Sequence, residues 1–139
     1  MKVTVILKIP GEPVPQGRPR FHVRGGFVHV YDPPASKKYK EHVANFAKEH
    51  YAWNPIQNDV ELHCQFYLPI PKSWSKKKRQ EAINGAIRPS SKPDWDNYAK
   101  SVCDGLNGVL YVDDGQIVES TVKLYYADEP RVEIEVKEI

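Results

Sequence analysis

The spacing of hydrophobic positions along the chain predicts a set of β-strands. Short segments rich in β-branched and aromatic residues are bounded by proline and glycine, which is typical of strands. Between two of these segments, Gly25 and Gly26 indicate the tight turn of a hairpin. The predicted strands cover residues 3–9, 21–24, 27–31, 59–68, 116–126 and 131–137.

Other segments repeat their apolar residues at helical spacing. Tyr39, Val43 and Ala47 predict an amphipathic, basic helix over residues 35–51. A serine-rich cap at residues 73–75 predicts a short helix that ends near residue 84. Strands and helices mixed in this order predict an α/β or α+β fold, a single domain over residues 1–139 with one mixed sheet and about three helices.

A third helix is predicted after a proline-bounded loop. Tyr98, Val102 and Leu106 lie four residues apart, so residues from about Asp96 onward form a helix whose apolar stripe faces the core. Gly108 is typical of the position just past a helix end.

Length and composition are those of one folded domain without membrane contact. The chain has 139 residues, 40% of them hydrophobic, and no apolar run approaches the roughly 18 residues that span a bilayer. The N-terminus has the pattern of a charged-ended strand instead of a signal peptide. We therefore expect a cytoplasmic protein. Cys64 and Cys103 lie far apart and outside any Cys/His cluster, which favours buried thiols over a zinc site or a disulfide.

The small net charge of +2 hides an asymmetry between two parts of the chain. Residues 1–92 contain 16 basic and 7 acidic side chains, whereas residues 93–139 contain 4 basic and 11 acidic ones. A basic body binds phosphates, and a divalent cation would neutralise clustered acids. The alternative is that these charges only cover a solvated surface.

Within the acidic part, the start of the third helix brings candidate functional residues together. A proline at residue 93 places Asp94 at or just before the helix start, where extended backbone lets its side chain converge with that of Asp96. Lys100 follows one turn later on the same face. A predicted turn at residues 113–115 would add a third carboxylate, from Asp114, if the fold brings it to this place.

Three carboxylates around one point repel each other unless a cation lies among them. Oxygen-only ligands select hard ions, so we predict Mg²⁺, with Mn²⁺ as a possible substitute, held by Asp94, Asp96 and Asp114. Such an ion polarises a phosphoryl oxygen and activates a bound water, and Lys100 would stabilise charge that develops on the phosphorus. Hydrolytic cleavage of a nucleic acid strand fits this set.

Simpler interpretations stay open for each feature alone. An Asp at a helix start is often a cap, Asp-Asp-Gly is often a turn, and Asp-x-Asp also occurs in calcium loops and glycosyltransferases. No EF-hand pattern follows here. Asp104, at helical spacing from Lys100, is expected to be an ion-pair partner.

The combined motifs over residues 92–118 are more specific than any one of them. They comprise Lys-Pro-Asp-Trp-Asp-Asn at 92–97, Lys100, Asp-Gly-Leu-Asn-Gly at 104–108 and Tyr-Val-Asp-Asp-Gly-Gln at 111–116. Together they resemble the RusA family of Holliday junction resolvases, which are prophage-associated endodeoxyribonucleases. The proline-rich arm at residues 13–20 also resembles that of many members, with Gln16 in place of a lysine common there.

The resemblance implies a homodimer that binds four-way DNA junctions and, with Mg²⁺, nicks two strands symmetrically. The family's essential aspartates would correspond to Asp94, Asp96 and Asp114, and its important lysine to Lys100, with Asp113 less critical. A two-fold symmetric dimer independently suits a substrate that needs two nicks.

The basic residues then become candidate phosphate contacts, and Phe21 or Trp95 could stack on unpaired bases. The alternatives are a solvated helix face for residues 76–79 and a core or dimer-interface position for the two aromatic residues. The DNA-binding candidates are Arg18, Arg20, Arg24, Lys76, Lys77, Lys78, Arg79 and Lys92.

Two other functions compete with a nuclease. One is a DNA-binding module that has lost cleavage, against which the intact set of acids and Lys100 argues. The other is a transferase that holds a nucleotide diphosphate through Asp-x-Asp, which the short chain without a nucleotide-binding loop disfavours. None of the five histidines is assigned to catalysis.

Overall fold

The computed structural model describes residues 1–91 and 93–139 of the chain. Each predicted strand and helix is confirmed, with ends within one or two residues of the expected positions. The elements are β1 (Thr4–Pro10), β2 (Arg20–Arg24), β3 (Phe27–Tyr31), α1 (Pro34–His50), β4 (Val60–Pro69), α2 (Lys76–Ile83), α3 (Trp95–Leu106), β5 (Ile117–Ala127) and β6 (Arg131–Glu138). A short 3₁₀ helix, Asp114–Gln116, leads into β5.

Four of the strands form one mixed sheet in the order β1-β6-β4-β5. β6 pairs antiparallel with both β1 and β4, whereas β4 and β5 are parallel. Although β5 and β6 are consecutive in the sequence, β4 lies between them. The mixed sheet with three helices confirms the predicted α+β class.

The helices cover one face of the sheet and leave the other open. In β4, Leu62, Cys64 and Phe66 are buried, while the intervening residues point to the half-exposed opposite face. Phe66 packs against Tyr98 of α3, with ring centroids 5.5 Å apart. The alternation of apolar and polar residues in β4 thus decides which face receives the helices.

Helices α1 and α3 approach each other closely at Gly105. A Cβ atom on Gly105 would lie only 2.8 Å from Cβ of Val43 in α1, so a glycine is required at this contact. Burial of Val43 and Leu106 on either side completes the interface.

The predicted hairpin, β2 and β3, forms a separate two-stranded sheet. His22 and His29 lie opposite each other in its register, and all ten strand residues are exposed. Among the described residues, no helix combines the length and apolar character that crossing a membrane requires.

Candidate functional site

The start of α3 lies at Asp94, as predicted from the preceding proline. Asp94 is the N-cap residue with extended backbone (φ −74°, ψ 157°), yet its side chain makes no capping hydrogen bond to the helix. It is half-buried and lines a cleft of about 110 Å³ together with Pro89, Pro93 and Leu124. The carboxylate of Asp94 therefore does not cap the helix.

The first turn of α3 presents polar and aromatic side chains to solvent. Asp96 is exposed there, where a carboxylate also interacts favourably with the helix dipole. Trp95 beside it is 59% exposed and Phe21 of the hairpin 69% exposed. Neither aromatic residue belongs to the core of the described chain.

One turn further along, Lys100 belongs to a chain of alternating charges. Its Nζ donates to Oδ1 of Asp104 at 2.9 Å, and Oδ2 of Asp104 lies 3.3 Å from Nζ of Lys40 in α1. Lys40 in turn donates to Oδ2 of Asp32 at 2.9 Å. Asp104 is thus an ion-pair partner, as predicted, and it links α3 to α1.

These contacts shift the pKa values of Lys100 and Asp32, the two residues at the ends of this series of charges. The hydrogen bond to Asp104, followed by the fields of Asp104 and Asp114, raises the pKa of Lys100, so its ammonium stays charged well above neutral pH. The hydrogen bond from Lys40 lowers the pKa of Asp32. Lys100 and Asp32 are therefore both charged at neutral pH.

Asp114 is held by a rigid turn that precedes β5. Oδ2 of Asp113 accepts from the backbone N–H of Gly115 at 2.9 Å, and Oε1 of Gln116 accepts from the backbone N–H of Asp113 at 2.9 Å. Gln116 Nε2 also donates to the carbonyl oxygen of Ile56 at 2.7 Å, which ties the turn to the loop before β4. The side chain of Asp113 caps the turn. Asp114 is half-buried, and its negative charge raises the pKa of Lys100.

The loop between α3 and this turn is fixed by Tyr111. Its hydroxyl donates to the carbonyl oxygen of Cys103 at 2.8 Å, and its ring is fully buried. Burial, with the field of Asp114 as the next cause, raises the pKa of the Cys103 thiol to about 11. The same carboxylate thus acts on both Lys100 and Cys103, so the turn lies beside α3 as the sequence suggested.

Asp94 and Asp96 lie at the start of α3, whereas the field of Asp114 acts on Lys100 and Cys103, further along the helix. In the part of the chain that the structure describes, Asp94, Asp96 and Asp114 do not form a group whose ligand oxygens all lie within 4.8 Å of one another. The group that meets this distance is Glu61, His63 and Glu119, on the open face of the sheet.

The proline-rich arm runs directly to this region. The backbone N–H of Gln16 donates to the carbonyl oxygen of Asn97 at 2.8 Å, in the first turn of α3. The backbone N–H of Gly17 donates to Oγ of the buried Ser36 at 2.9 Å. Arg18 and Arg20, which follow in the sequence, are exposed, as is Arg24 at the end of β2.

The basic side chains of α2 have mixed environments. Lys76 and Lys77 are exposed, whereas Nζ of Lys78 lies 4.1 Å from the ring centroid of Trp74. Arg79 is half-buried, with Nη2 3.4 Å from Oδ1 of Asp128. The predicted contact residue Lys92 lies outside the described residues.

Sequence reasoning missed two parts of the polar architecture. Asp32, which directly follows β3, pairs with Lys40, and nothing in its local sequence indicates that contact. Glu61 and His63 share a face of β4 by their spacing, but their proximity to Glu119 depends on the pairing of β4 with β5.

Exposed basic side chains and an acidic helix start, connected by the proline-rich arm, are features that favour contact with a polyanion. Comparison with known proteins gives the family: the model for endodeoxyribonuclease RusA matches residues 10–137, and the chain belongs to the RusA endodeoxyribonuclease family. This family acts on Holliday junction DNA. The chain is also 47% identical over 131 residues to the uncharacterized protein YqaN of Bacillus subtilis (strain 168), an alignment that covers 93% of this chain and 92% of that protein.

Proposed function

We propose that this chain is a Mg²⁺-dependent Holliday junction resolvase whose single domain spans residues 1–139. Asp94, Asp96 and Asp114 hold the metal, and Lys100 takes part in the reaction. The observation that carries the proposal is the match to the RusA endodeoxyribonuclease family over residues 10–137, which includes the carboxylates at the start of α3 and the Asp114 carboxylate whose field acts on Lys100.

The donor set fits a hard divalent cation. All three side chains offer carboxylate oxygens, Asp96 is exposed, and Asp94 and Asp114 are half-buried, so water or DNA oxygens can complete a coordination shell. Mg²⁺ characteristically keeps several waters and uses few carboxylates, and Mn²⁺ accepts the same ligands. When bound, the ion would polarise the scissile phosphate and lower the pKa of a bound water.

Lys100 supplies a fixed positive charge beside these acids. Its raised pKa keeps the ammonium protonated, so it stabilises negative charge on a phosphate oxygen without acting as a base. The hydrogen bond to Asp104 restricts its side chain and positions it along α3. Asp104 is a positioning residue in this scheme.

DNA is held through phosphates by the exposed basic side chains. Arg18 and Arg20 are well suited, because the arm that carries them is anchored to α3 through Gln16. Exposed Phe21 and Trp95 offer ring faces for unpaired bases at a crossover. The remaining proposed phosphate contacts are Arg24, Lys76, Lys77, Lys78, Arg79 and Lys92.

A homodimer would place two such sites on one junction and produce paired, symmetrical nicks. The hairpin supports this idea, because an isolated two-stranded hairpin is marginally stable in water. Its apolar residues are nevertheless exposed in the single chain, as expected of a surface that a second copy covers: Phe21, Val23, Phe27, Val28, Val30 and Tyr31. Light scattering tests the dimer, and Phe27→Asp is expected to shift the protein toward monomer.

The direct test incubates the protein with a labelled four-way junction and with a duplex of matching sequence, each with Mg²⁺ or EDTA. We expect paired nicks at symmetry-related positions in the junction alone, and only with Mg²⁺. Tight junction binding without nicks under Mg²⁺ or Mn²⁺ would instead indicate a non-cleaving DNA-binding module.

A further inference from the structure

The open face of the sheet carries a second group of metal-ligating side chains. Glu61 and His63 alternate on β4, so both point away from the helices, and Glu119 lies opposite Glu61 on the parallel neighbour β5. A register shift between Val60 and Glu61 gives β5 one extra residue, Val118, and brings Glu119 into line with Glu61.

The donor atoms of this group are close together. One ligand atom from each of Glu61, His63 and Glu119 lies within 4.8 Å of the other two. Nε2 of His63 is 3.1 Å from Oε2 of Glu61. Two carboxylates at this separation repel each other unless positive charge lies between them.

A residue outside the group orients the imidazole. Nδ1 of His63 lies 2.7 Å from Oγ1 of Thr121, which is its cross-strand partner in the register. A hydrogen bond from Nδ1–H to a neighbouring oxygen leaves the Nε2 lone pair available, and it is the usual arrangement of a metal-ligating histidine. Thr121 thus directs Nε2 toward the two carboxylates.

The basic residue in register with Glu61 on β6 contacts another carboxylate. Lys137 of β6 lies opposite Glu61, but its Nζ is 3.7 Å from Oε1 of Glu135. In the described part of the chain, His63 is the basic side chain paired with Glu61.

We propose that Glu61, His63 and Glu119 form a binding site for a divalent transition metal of the zinc class, separate from the nuclease site. One imidazole and two carboxylates, with an open position for water, suit Zn²⁺ better than Mg²⁺, because nitrogen ligands favour the later transition metals. The site joins β4 to β5, the edge strand of the sheet, so the bound metal cross-links the one parallel strand pair of the described sheet.

The test is Zn²⁺ titration by calorimetry of the full chain in the Asp96→Asn/Asp114→Asn background, which removes carboxylates of the nuclease site. We expect one Zn²⁺ per chain and a higher thermal unfolding midpoint with Zn²⁺. His63→Gln and Glu119→Gln are each expected to weaken binding at least tenfold and to abolish that shift. Thr121→Val is expected to weaken binding less, since it removes only the orienting hydrogen bond.

The matched control is His22→Gln, because the exposed His22–His29 pair offers two imidazoles on neighbouring strands. Zn²⁺ binding that survives His22→Gln supports the proposal. Loss of binding in that control, unchanged binding in folded His63→Gln and Glu119→Gln, or no saturable binding in the background protein would each overturn it. Circular dichroism of every variant separates loss of metal binding from loss of fold, and Mg²⁺-dependent cleavage by His63→Gln in the otherwise wild-type chain reports on the nuclease site independently.

Discussion

The two acidic regions of this molecule differ in how their side chains are held. On the open sheet face, Glu61 and Glu119 occupy paired strands, so backbone hydrogen bonds fix their separation. At the start of α3, Asp94 and Asp96 come from a helix end, whereas Asp114 comes from a 3₁₀ turn that follows the helix. The first group is preassembled within 4.8 Å, and the second is not.

This difference fits the two kinds of metal chemistry. A transition metal held by protein ligands alone needs close donors, whereas Mg²⁺ retains waters and shares its ligands with substrate phosphates. Asp114 of the looser group acts on Lys100, and the proline-rich arm contacts the first turn of α3, where we propose that a phosphate binds. We therefore expect metal binding at the α3 site to depend on DNA and metal binding at the sheet site to be independent of it.

The largest expected effect is that of Asp96→Asn on cleavage. Removing one carboxylate charge from the α3 site is expected to lower junction nicking by roughly a thousandfold or more while leaving junction binding largely intact. Nicking and gel-shift assays on the same protein measure both. Asp113→Asn is the control, because asparagine still caps the turn, and equal losses in both variants would contradict the assignment.

Lys100→Gln is expected to reduce nicking by about a hundredfold, since it removes a positive charge from beside the phosphate. Because the pKa of Lys100 is raised above its ordinary value, the charge is present below that value and is lost only as pH rises through the raised one. The ratio of wild-type to variant rates is thus expected to be the same at pH 7 and pH 9. A ratio that falls at pH 9, or an equal loss in the control Lys123→Gln, would argue against this role.

The contact between α1 and α3 can be broken without touching a charge. Gly105→Ala is expected to destabilise the fold by about 1–3 kcal/mol, because the added Cβ meets Val43 at 2.8 Å. Urea unfolding measures this change. Adding Val43→Ala is expected to recover part of the loss, and a Gly105→Ala protein as stable as the wild type would show that the helices are less closely packed.

A smaller effect, on DNA binding, is expected from removing the two arginines of the proline-rich arm. Arg18→Ala/Arg20→Ala is expected to weaken binding of junction and duplex DNA alike and to reduce the salt dependence of binding by about one phosphate contact per arginine. Fluorescence anisotropy over a range of salt concentrations gives this slope. Lys8→Ala, on the sheet edge strand β1, is the control, and the same slope in all three proteins would place the DNA elsewhere.

Local patterns were sufficient to predict most of the fold. Apolar spacing located α1 and α3, and the two glycines located the hairpin. The order of strands was not accessible in the same way, because β5 and β6 follow each other in sequence while β4 lies between them. Which strands pair depends on how distant segments of the chain pack together, a property of the whole fold.

The candidate sites, like the fold, could be predicted from local sequence only in part. Asp94 and Asp96 are neighbours in sequence, and their helix start was predictable from one proline and one apolar stripe. The Asp32–Lys40 ion pair and the proximity of Glu119 to His63 arise only when distant segments pack together. A register shift of one residue decides the second contact, and no local sequence signal specifies it.

Iron-directed cleavage of the protein backbone tests whether Asp94, Asp96 and Asp114 bind the metal. Fe²⁺ replaces Mg²⁺ at carboxylate sites and, with peroxide and ascorbate, cuts the chain next to its ligands. In the presence of junction DNA, we expect cuts near residues 94–96 and 114. Excess Mg²⁺ should suppress these cuts, and Asp96→Asn should remove them. Cuts confined to residues 61–63 and 119, or cuts near 94–96 that persist in Asp96→Asn, would contradict this assignment.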